Sequence, residues 1–177
     1  MQTETNASAP RPAAFLDRDG VINVDHGYTV RPEDLEFTPT AVEAIRLLNQ
    51  SGVLVLVVTN QSGVARGLYG LADVDAFHDH MQAELARHGA RIDGFYNSPY
   101  HPDGAVAEFA IHHDDRKPGP GMILRAMRDW AVKHDGSFMI GDKQSDADSA
   151  AAAGISSRLI TPNDGDLASA VRTLLAR

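Results

Sequence analysis

The sequence predicts an α/β fold in which helices cover both faces of a doubly wound, mostly parallel sheet, as in the Rossmann-like class. Short aliphatic runs alternate along the chain with longer segments whose apolar residues recur every three or four positions, a pattern typical of this class. Several runs, including VLVLVV at 53–58, have no polar residues at alternate positions, which indicates strands buried on both faces. The 177 residues suffice for one domain with its own core.

Five strands and five helices are predicted. The strands are AAFL at 13–16, VLVLVV at 53–58, GFYNS at 94–98, SFMI at 137–140 and SSRLI at 156–160. The helices are expected at 40–50, 71–88, 121–134, 146–153 and 165–176, where the apolar spacing is helical. The one long connection is 98–120, and long loops in compact domains are usually functional or disordered.

We predict a disordered leader over 1–11 and a single domain over 12–177, with no insertion large enough for a mobile cap domain. The leader does not have the basic and apolar regions of a signal peptide, and the longest aliphatic run is too short to cross a bilayer. The absence of cysteine excludes disulfides and thiolate metal sites, and a net charge of −8 argues against nucleic-acid binding. The expectation is a cytoplasmic monomer that binds neither nucleic acid nor membrane.

Polar residues follow the predicted strands at the ends where open parallel sheets bind ligands. They are Asp17 and Asp19 after the first strand, Thr59, Asn60 and Gln61 after the second, Asp142, Lys143 and Asp146 after the fourth, and Arg116 and Lys117 at the end of the long loop. Taken singly, each fits ordinary turn or helix-cap chemistry. Together, the carboxylates imply an oxygen-preferring cation such as Mg²⁺, and a cation with a hydroxyl and a lysine suits a phosphoryl group.

Four segments in order carry a family resemblance: FLDRDGVIN, VVTNQSGVARG, DDRKPGPGM and GDKQSDADSAAAAG. They resemble the ordered motifs of the haloacid dehalogenase superfamily of phosphohydrolases over residues 13–155. The resemblance is closer to the branch that contains the heptose 1,7-bisphosphate 7-phosphatases and the histidinol-phosphate phosphatases. It implies a single phosphatase domain that hydrolyses a small phosphorylated metabolite with Mg²⁺, through an aspartyl-phosphate intermediate.

The resemblance also implies roles at the catalytic centre. Asp17 resembles the nucleophile, and Asp19 resembles the general acid and base whose backbone carbonyl also binds the metal. Asp142 resembles the third protein ligand of Mg²⁺, and Asp146 a supporting acid of the same motif. The predicted metal ligands are therefore Asp17, Asp19 and Asp142.

The phosphate and substrate contacts follow in the same way. Thr59 and Lys117 resemble the groups that hold the transferring phosphoryl group. Further contacts are expected from Asn60, Gln61, Lys143, Asp25, His26 and Tyr28. Arg116, next to Lys117, is expected to bind a second phosphate, and only a bisphosphate substrate would make that contact. A heptose 1,7-bisphosphate that loses its 7-phosphate is therefore the predicted substrate, with histidinol phosphate as the alternative.

The loop before Lys117 is rich in histidine and aspartate. In the resembled phosphatases a Cys-x-His pair and a Cys-x-Cys pair hold a structural zinc at this loop. Aligned on RKP, the four positions are Ser98, Tyr100, His113 and Asp115. Serine and neutral tyrosine are poor Zn²⁺ ligands, although His101 and His112 leave a different arrangement open. We therefore do not expect a structural zinc, and we expect hydrogen bonds and packing to hold the loop.

A signalling receiver domain is the alternative from another functional class, because it also gathers acids, a threonine and a lysine around Mg²⁺. Its phosphoaccepting aspartate follows the third strand, whereas no acid directly follows GFYNS here. Steady-state release of phosphate would separate the two classes. A P-loop kinase is excluded because GxxxxGK[ST] is absent, and an inactive scaffold is disfavoured because every motif residue is present.

Overall fold

The fold is described by a computed structural model that covers residues 9–176. Its strands are β1 (Ala13–Leu16), β2 (Leu54–Asn60), β3 (Gly94–Ser98), β4 (Phe138–Gly141) and β5 (Ser156–Leu159). Its helices are α1 (Ala41–Gln50), α2 (Leu71–Arg87), α3 (Gly121–Asp129), α4 (Gln144–Ala152) and α5 (Leu167–Leu175), with a 3₁₀ turn at Pro32–Asp34. The strands form one parallel sheet in the order β3-β2-β1-β4-β5, which confirms the predicted fold class.

The two faces of the sheet have separate cores, because successive side chains of a strand point to opposite faces. Ala14 and Leu16 of β1 belong to the core that α1, α2 and α5 cover. Ala13 and Phe15 belong to the core that α3 and α4 cover. The absence of polar alternation in the sequence follows directly from this double coverage.

The end of α3 was predicted five residues too late, at 134 instead of 129, and the end of β2 and the start of α4 were wrong by two residues. Strand β2 continues to Asn60 because Thr59 and Asn60 still pair with β3. Helix α3 ends at Asp129, well before 134, since Ala131 adopts a left-handed backbone with φ of 48°. Helix α4 begins at Gln144 because the Asp146 carboxylate accepts the backbone N–H of Lys143 and caps the first turn. The other ends differ from prediction by at most two residues.

The leader prediction concerns residues 1–11, of which 1–8 lie outside the described residues. Arg11 forms an isolated parallel bridge with Val132, and its carbonyl oxygen accepts the N–H of Lys133 at 3.1 Å. Within residues 9–176 no segment forms a separate cap domain, and no helix is long and apolar enough to cross a membrane.

Candidate active site

The site is built where the carboxyl ends of β1, β2 and β4 meet the end of the long loop. Asp17 directly follows β1, and its backbone N–H donates to the carbonyl of Ile140 in β4 at 3.0 Å. The loop delivers the buried Lys117, whose Nζ lies 3.0 Å from Asp17 Oδ1 and 2.6 Å from Asp146 Oδ1. Lys117 Nζ also donates to the carbonyl of Val58 at 2.8 Å. One lysine thus joins three elements of the sheet edge. We call Asp17, Lys117, Asp142 and Asp146 the acid edge.

The acid edge has more negative than positive charge. Burial, reinforced by Asp146 and Asp19 and opposed by Lys117, raises the pKa of Asp17 from 3.8 to about 7. Burial likewise raises the pKa of Asp142, against the nearby Lys143. Burial alone would lower the pKa of Lys117, but Asp17 and Asp146 outweigh it and raise that pKa. The lysine therefore stays charged, and at least one carboxyl group remains uncompensated.

The acid edge fits a divalent cation. Asp17, Asp142 and Asp146 each offer a carboxylate oxygen within 4.8 Å of the others. Asp142 Oδ1 is buried without a hydrogen-bond partner among the described residues, as a free metal ligand would be. Asp146 is committed elsewhere, since its Oδ2 accepts the backbone N–H groups of Asp142 and Lys143 and its Oδ1 faces Lys117. Oxygen ligands of this kind suit Mg²⁺.

The Asp19 carboxylate, in contrast, lies outside this cluster of three acids. Its oxygens accept hydrogen bonds from Arg18, from Asn23 Nδ2 at 3.0 Å and from Gln61 Nε2 at 2.9 Å. No described residue donates a hydrogen bond to its backbone carbonyl oxygen. Among the described residues this carbonyl oxygen is therefore left available to a cation, whereas the carboxylate is already hydrogen-bonded.

The residues at the carboxyl end of β2, with Gln61 directly after it, organise the site through their side chains. Asn60 Oδ1 accepts the backbone N–H of Lys117 at 3.0 Å, and Asn60 Nδ2 donates to the carbonyl of Lys117 at 3.1 Å. Gln61 Nε2 also donates to the hydroxyl of the buried Thr59 at 2.8 Å. Tyr69 donates its phenolic hydrogen to Gln61 Oε1 at 2.8 Å. Asn60 fixes the lysine, and Gln61 links Thr59 to Asp19.

Two clefts open beside these groups. A narrow cleft of ≈ 40 Å³ is lined by Asp17, Asp19, Asn60, Lys117, Lys143, Ser145 and Asp146. An adjoining cleft of ≈ 230 Å³ is lined by Asp19, Asp25, Gly27, Tyr28, Asn60, Gln61, Ser62, Tyr69 and Lys143. His26 lines a larger neighbouring cleft of ≈ 740 Å³ together with Tyr28 and Tyr69, and its Nε2 lies 3.3 Å from the Glu36 carboxylate. Most of the predicted substrate residues therefore line these neighbouring clefts, which share several lining residues.

Arg116 is placed differently from the other predicted substrate residues. It lines a separate depression of ≈ 610 Å³ with Pro102, His112, His113 and Pro118. Its Nη1 donates to the carbonyl of Tyr100 at 3.1 Å. Burial and the nearby Arg66 guanidinium lower the pKa of Arg116. Two arginines thus share the loop side of the site, although neither lines the two clefts beside Asp19.

The four residues aligned with the zinc ligands pack against or bond to other parts of the protein. The rings of Tyr100 and His113 stack at 4.0 Å with an interplanar angle of 14°. His113 Nδ1 accepts the backbone N–H of Asp115 at 3.0 Å, and the Asp115 carboxylate pairs with Arg125. Ser98 is fully buried. These contacts explain how the loop is held, and the absence of zinc stays a prediction.

Several residues that line or support the site carry no signal in the sequence. Ser62, Tyr69 and Ser145 line the clefts, and Arg18 is fully buried against Asp19. An arginine between two aspartates has no apolar periodicity that would predict burial. Its position follows from contacts with segments far away in the sequence.

Comparison with known proteins identifies the family. A family model described as HAD-hydrolase-like matches residues 115–170. Over 150 residues the chain is 50% identical to the D-glycero-beta-D-manno-heptose-1,7-bisphosphate 7-phosphatase of Rhodopseudomonas palustris, which covers 84% of this chain and 83% of that protein. It is 42% identical over 149 residues to the Escherichia coli K12 phosphatase of the same name, covering 84% and 78%.

A solved structure extends the comparison to three dimensions. The D,D-heptose 1,7-bisphosphate phosphatase from B. bronchiseptica, complexed with magnesium and phosphate, superimposes with a TM-score of 0.81 at 34% sequence identity. The match covers 93% of this chain and 98% of that one. Sequence identity over most of both chains and a shared fold lead to one conclusion. The chain belongs to the haloacid dehalogenase-like phosphatases, in the family of the D-glycero-beta-D-manno-heptose-1,7-bisphosphate 7-phosphatases.

Proposed function

We propose that this phosphatase hydrolyses a phosphate monoester with Mg²⁺, through a covalent intermediate on Asp17, and that its substrate is D-glycero-D-manno-heptose 1,7-bisphosphate. The observation that carries the proposal is the acid edge, where Lys117 contacts Asp17 and Asp146 while Asp142 keeps a buried oxygen free. A nucleophile, a fixed cation and an open ligand position are what phosphoryl transfer to a carboxylate requires.

Mg²⁺ would be held by the carboxylates of Asp17 and Asp142 and by the backbone carbonyl of Asp19, with Asp146 as a supporting acid. When bound, it supplies the positive charge that lets an anionic phosphate approach a carboxylate. The raised pKa values of Asp17 and Asp142 support this assignment, because burial, with a smaller contribution from the neighbouring Asp146, disfavours their ionised forms in the absence of a cation. Metal binding also favours the ionised form of both groups.

Asp17 then acts as the nucleophile. One carboxylate oxygen attacks phosphorus and forms an acyl-phosphate bond while the bond between phosphorus and the leaving oxygen breaks. Lys117 keeps Asp17 in place through its Nζ contact and adds positive charge beside the transferred group. Thr59, Asn60 and Gln61 support this arrangement from the end of β2.

Asp19 supplies and removes protons. It donates a proton to the leaving alkoxide oxygen, and in the second step it takes a proton from water as that water attacks phosphorus. Inorganic phosphate leaves, and the Asp17 carboxylate is regenerated. The Asp19 side chain suits this role because it lines the cleft on the side of Asp25 and Tyr28, where the leaving group would lie.

Three observations support the heptose bisphosphate as substrate. The relatives above carry that name, at up to 50% identity over most of both chains. Asp25, Tyr28 and Lys143 surround the cleft beside Asp19 and offer polar groups to sugar hydroxyls. Arg116 and Arg66 lie on the loop side, outside the two clefts beside Asp19, and their positive charge would attract a second phosphate that extended to that side. Histidinol phosphate, with one phosphate and a cationic amine, would not use those arginines. A monomeric, cytoplasmic enzyme remains our prediction.

A phosphate-release panel tests the proposal. We expect the highest kcat/KM for the heptose 1,7-bisphosphate, cleaved at its 7-phosphate, and we expect EDTA to abolish all turnover. Arg116→Ala should lower kcat/KM for the bisphosphate by about 10- to 100-fold, the value of a charge-assisted contact, and should affect a small monophosphate much less. Arg128→Ala, an exposed arginine on α3, is the matched control.

Each outcome of this panel decides a different part of the proposal. A higher kcat/KM for histidinol phosphate, or an equal effect of Arg116→Ala on both substrates, would refute the substrate assignment. Full activity in EDTA would refute the metal-dependent mechanism.

A further inference from the structure

Arg18 is one of the largest fully buried side chains in the described part of the protein. A buried guanidinium is costly unless each N–H finds a partner, so its contacts show what it is placed to hold. Its Nη2 donates to both Asp19 oxygens at 2.9 and 3.0 Å, and its Nε donates to Asp19 Oδ1 at 3.1 Å. This fork fixes the orientation of the carboxylate as well as its distance.

The same guanidinium also contacts the loop at 25–29, whose residues Asp25 and Tyr28 line the cleft beside Asp19. Arg18 Nη2 donates to the backbone carbonyl of Thr29 at 2.5 Å. The hydroxyl of Thr29 in turn accepts the backbone N–H of His26 at 2.9 Å. Asp19 and the loop that lines the cleft are therefore tied to one rigid group.

His78 of α2 completes the set. Its Nε2 lies 3.2 Å from Arg18 Nη1, and because arginine can only donate, Nε2 must accept and the ring must be neutral. Burial, reinforced by Arg18, lowers the pKa of His78 to about 3, in agreement with a neutral ring. The ring also stacks on Phe95 of β3 at 4.4 Å, and the Arg18 guanidinium lies 4.5 Å over the ring of Phe77. These contacts hold the guanidinium on the side that faces away from Asp19.

We propose that His78 and Arg18 are positioning residues for the proton transfer at Asp19: His78, stacked on Phe95, holds the guanidinium that orients the Asp19 carboxylate and ties it to the loop at Thr29. This inference rests on the proposed function of Asp19 as general acid. Proton transfer depends on a well-aligned donor, and misplacement by about 1 Å can cost roughly 10²-fold in rate. Among the described residues His78 forms no hydrogen bond with Asp19, so its effect on Asp19 must pass through Arg18.

The test uses a series of phosphate monoesters whose leaving groups differ in pKa, from p-nitrophenyl phosphate to alkyl phosphates. The quantity measured is kcat/KM, which reports the steps up to departure of the leaving group. Good leaving groups need little protonation, whereas alkoxides need the acid. His78→Leu should lower kcat/KM by about tenfold for alkyl phosphates and by less than about threefold for p-nitrophenyl phosphate. His78→Gln, whose side-chain oxygen can accept from Arg18, should lie closer to the wild type.

Controls separate positioning from loss of stability. Met81→Ala removes a fully buried side chain from the same helix but leaves His78 and Phe77, which contact Arg18, in place, and thermal unfolding measures how far each variant is destabilised. If His78→Leu does not fold, Arg18→Lys takes its place, because it keeps the charge but loses the fork. It should also reduce alkyl phosphate hydrolysis more than p-nitrophenyl phosphate hydrolysis.

Three results would overturn the inference: the same loss for every leaving group, no loss in the His78→Leu or Arg18→Lys variant, or an equal selective loss in Met81→Ala. Asp19→Asn in the wild-type background tests the underlying function separately. If Asp19→Asn shows no leaving-group dependence, the proposed role of Asp19 fails. If Asp19→Asn shows it and the His78 and Arg18 variants do not, only the positioning inference fails.

Discussion

Two parts of this protein are rich in ionisable residues, and they use them differently. The acid edge has Asp17, Lys117 and Asp146 buried and in contact with one another. In the histidine loop, which we define as residues 99–115, His112 and His113 are exposed, and Tyr100 stacks on His113. In the sequence, the residues of both parts are candidates for binding a metal or for catalysis.

The difference between them is burial. In the acid edge, desolvation raises the pKa of Asp17 to about 7, and each charge depends on its neighbours. In the histidine loop, water screens most of the groups, and local hydrogen bonds such as that between Asp115 N–H and His113 Nδ1 satisfy them. An ionisable cluster becomes suited to catalysis where water is excluded and the charges must compensate one another.

The largest expected effect is at the nucleophile. Asp17→Asn keeps the size of the side chain but removes the attacking oxygen, so turnover should fall by more than about 10³-fold. Phosphate release in the presence of Mg²⁺ measures this loss, and thermal unfolding should change little. Asp148→Asn, an exposed acid on α4, is the control and should keep full activity. Substantial activity in Asp17→Asn would contradict the assignment.

The second effect is on stability. Lys117→Met leaves Asp17 and Asp146 buried without their cation, so the free energy of unfolding should fall by about 3 to 5 kcal/mol. Urea denaturation in EDTA measures the change. Arg31→Met breaks an exposed ion pair with Asp34 and should cost less than about 1 kcal/mol. Equal losses in the two variants would show that burial does not distinguish the acid edge.

The smallest effect is expected in the histidine loop. His113→Ala removes a stacked but exposed ring, so the free energy of unfolding should fall by less than about 1 kcal/mol. Protein purified without added metal should contain well under one equivalent of Zn²⁺ by elemental analysis. His88→Ala, which removes an exposed histidine just after α2, is the control for both measurements. Stoichiometric zinc that disappears in His113→Ala would show that this loop is a metal site after all.

Much of the fold can be predicted from local sequence patterns. Strand β1 shows why: a four-residue run without polar alternation predicts a strand that is covered on both faces, and its side chains do divide between the two cores. The placement of Asp17 and Asp142 at one edge follows, because the carboxyl ends of parallel strands meet there. Helix ends were less predictable, since the end of α3 is set by the left-handed backbone at Ala131.

The sequence by itself determined which segments form buried strands and which polar residue types follow them at the sheet edge. Tertiary structure alone decided which of those side chains meet. Asn60 forms two hydrogen bonds with the backbone of Lys117, 57 positions away. Arg18 is buried against His78, 60 positions away. Arg116 donates to the Tyr100 carbonyl and does not line the clefts beside Asp19. Local pattern encodes period and burial, whereas the direction of a loop side chain depends on partners brought close only by the folded chain.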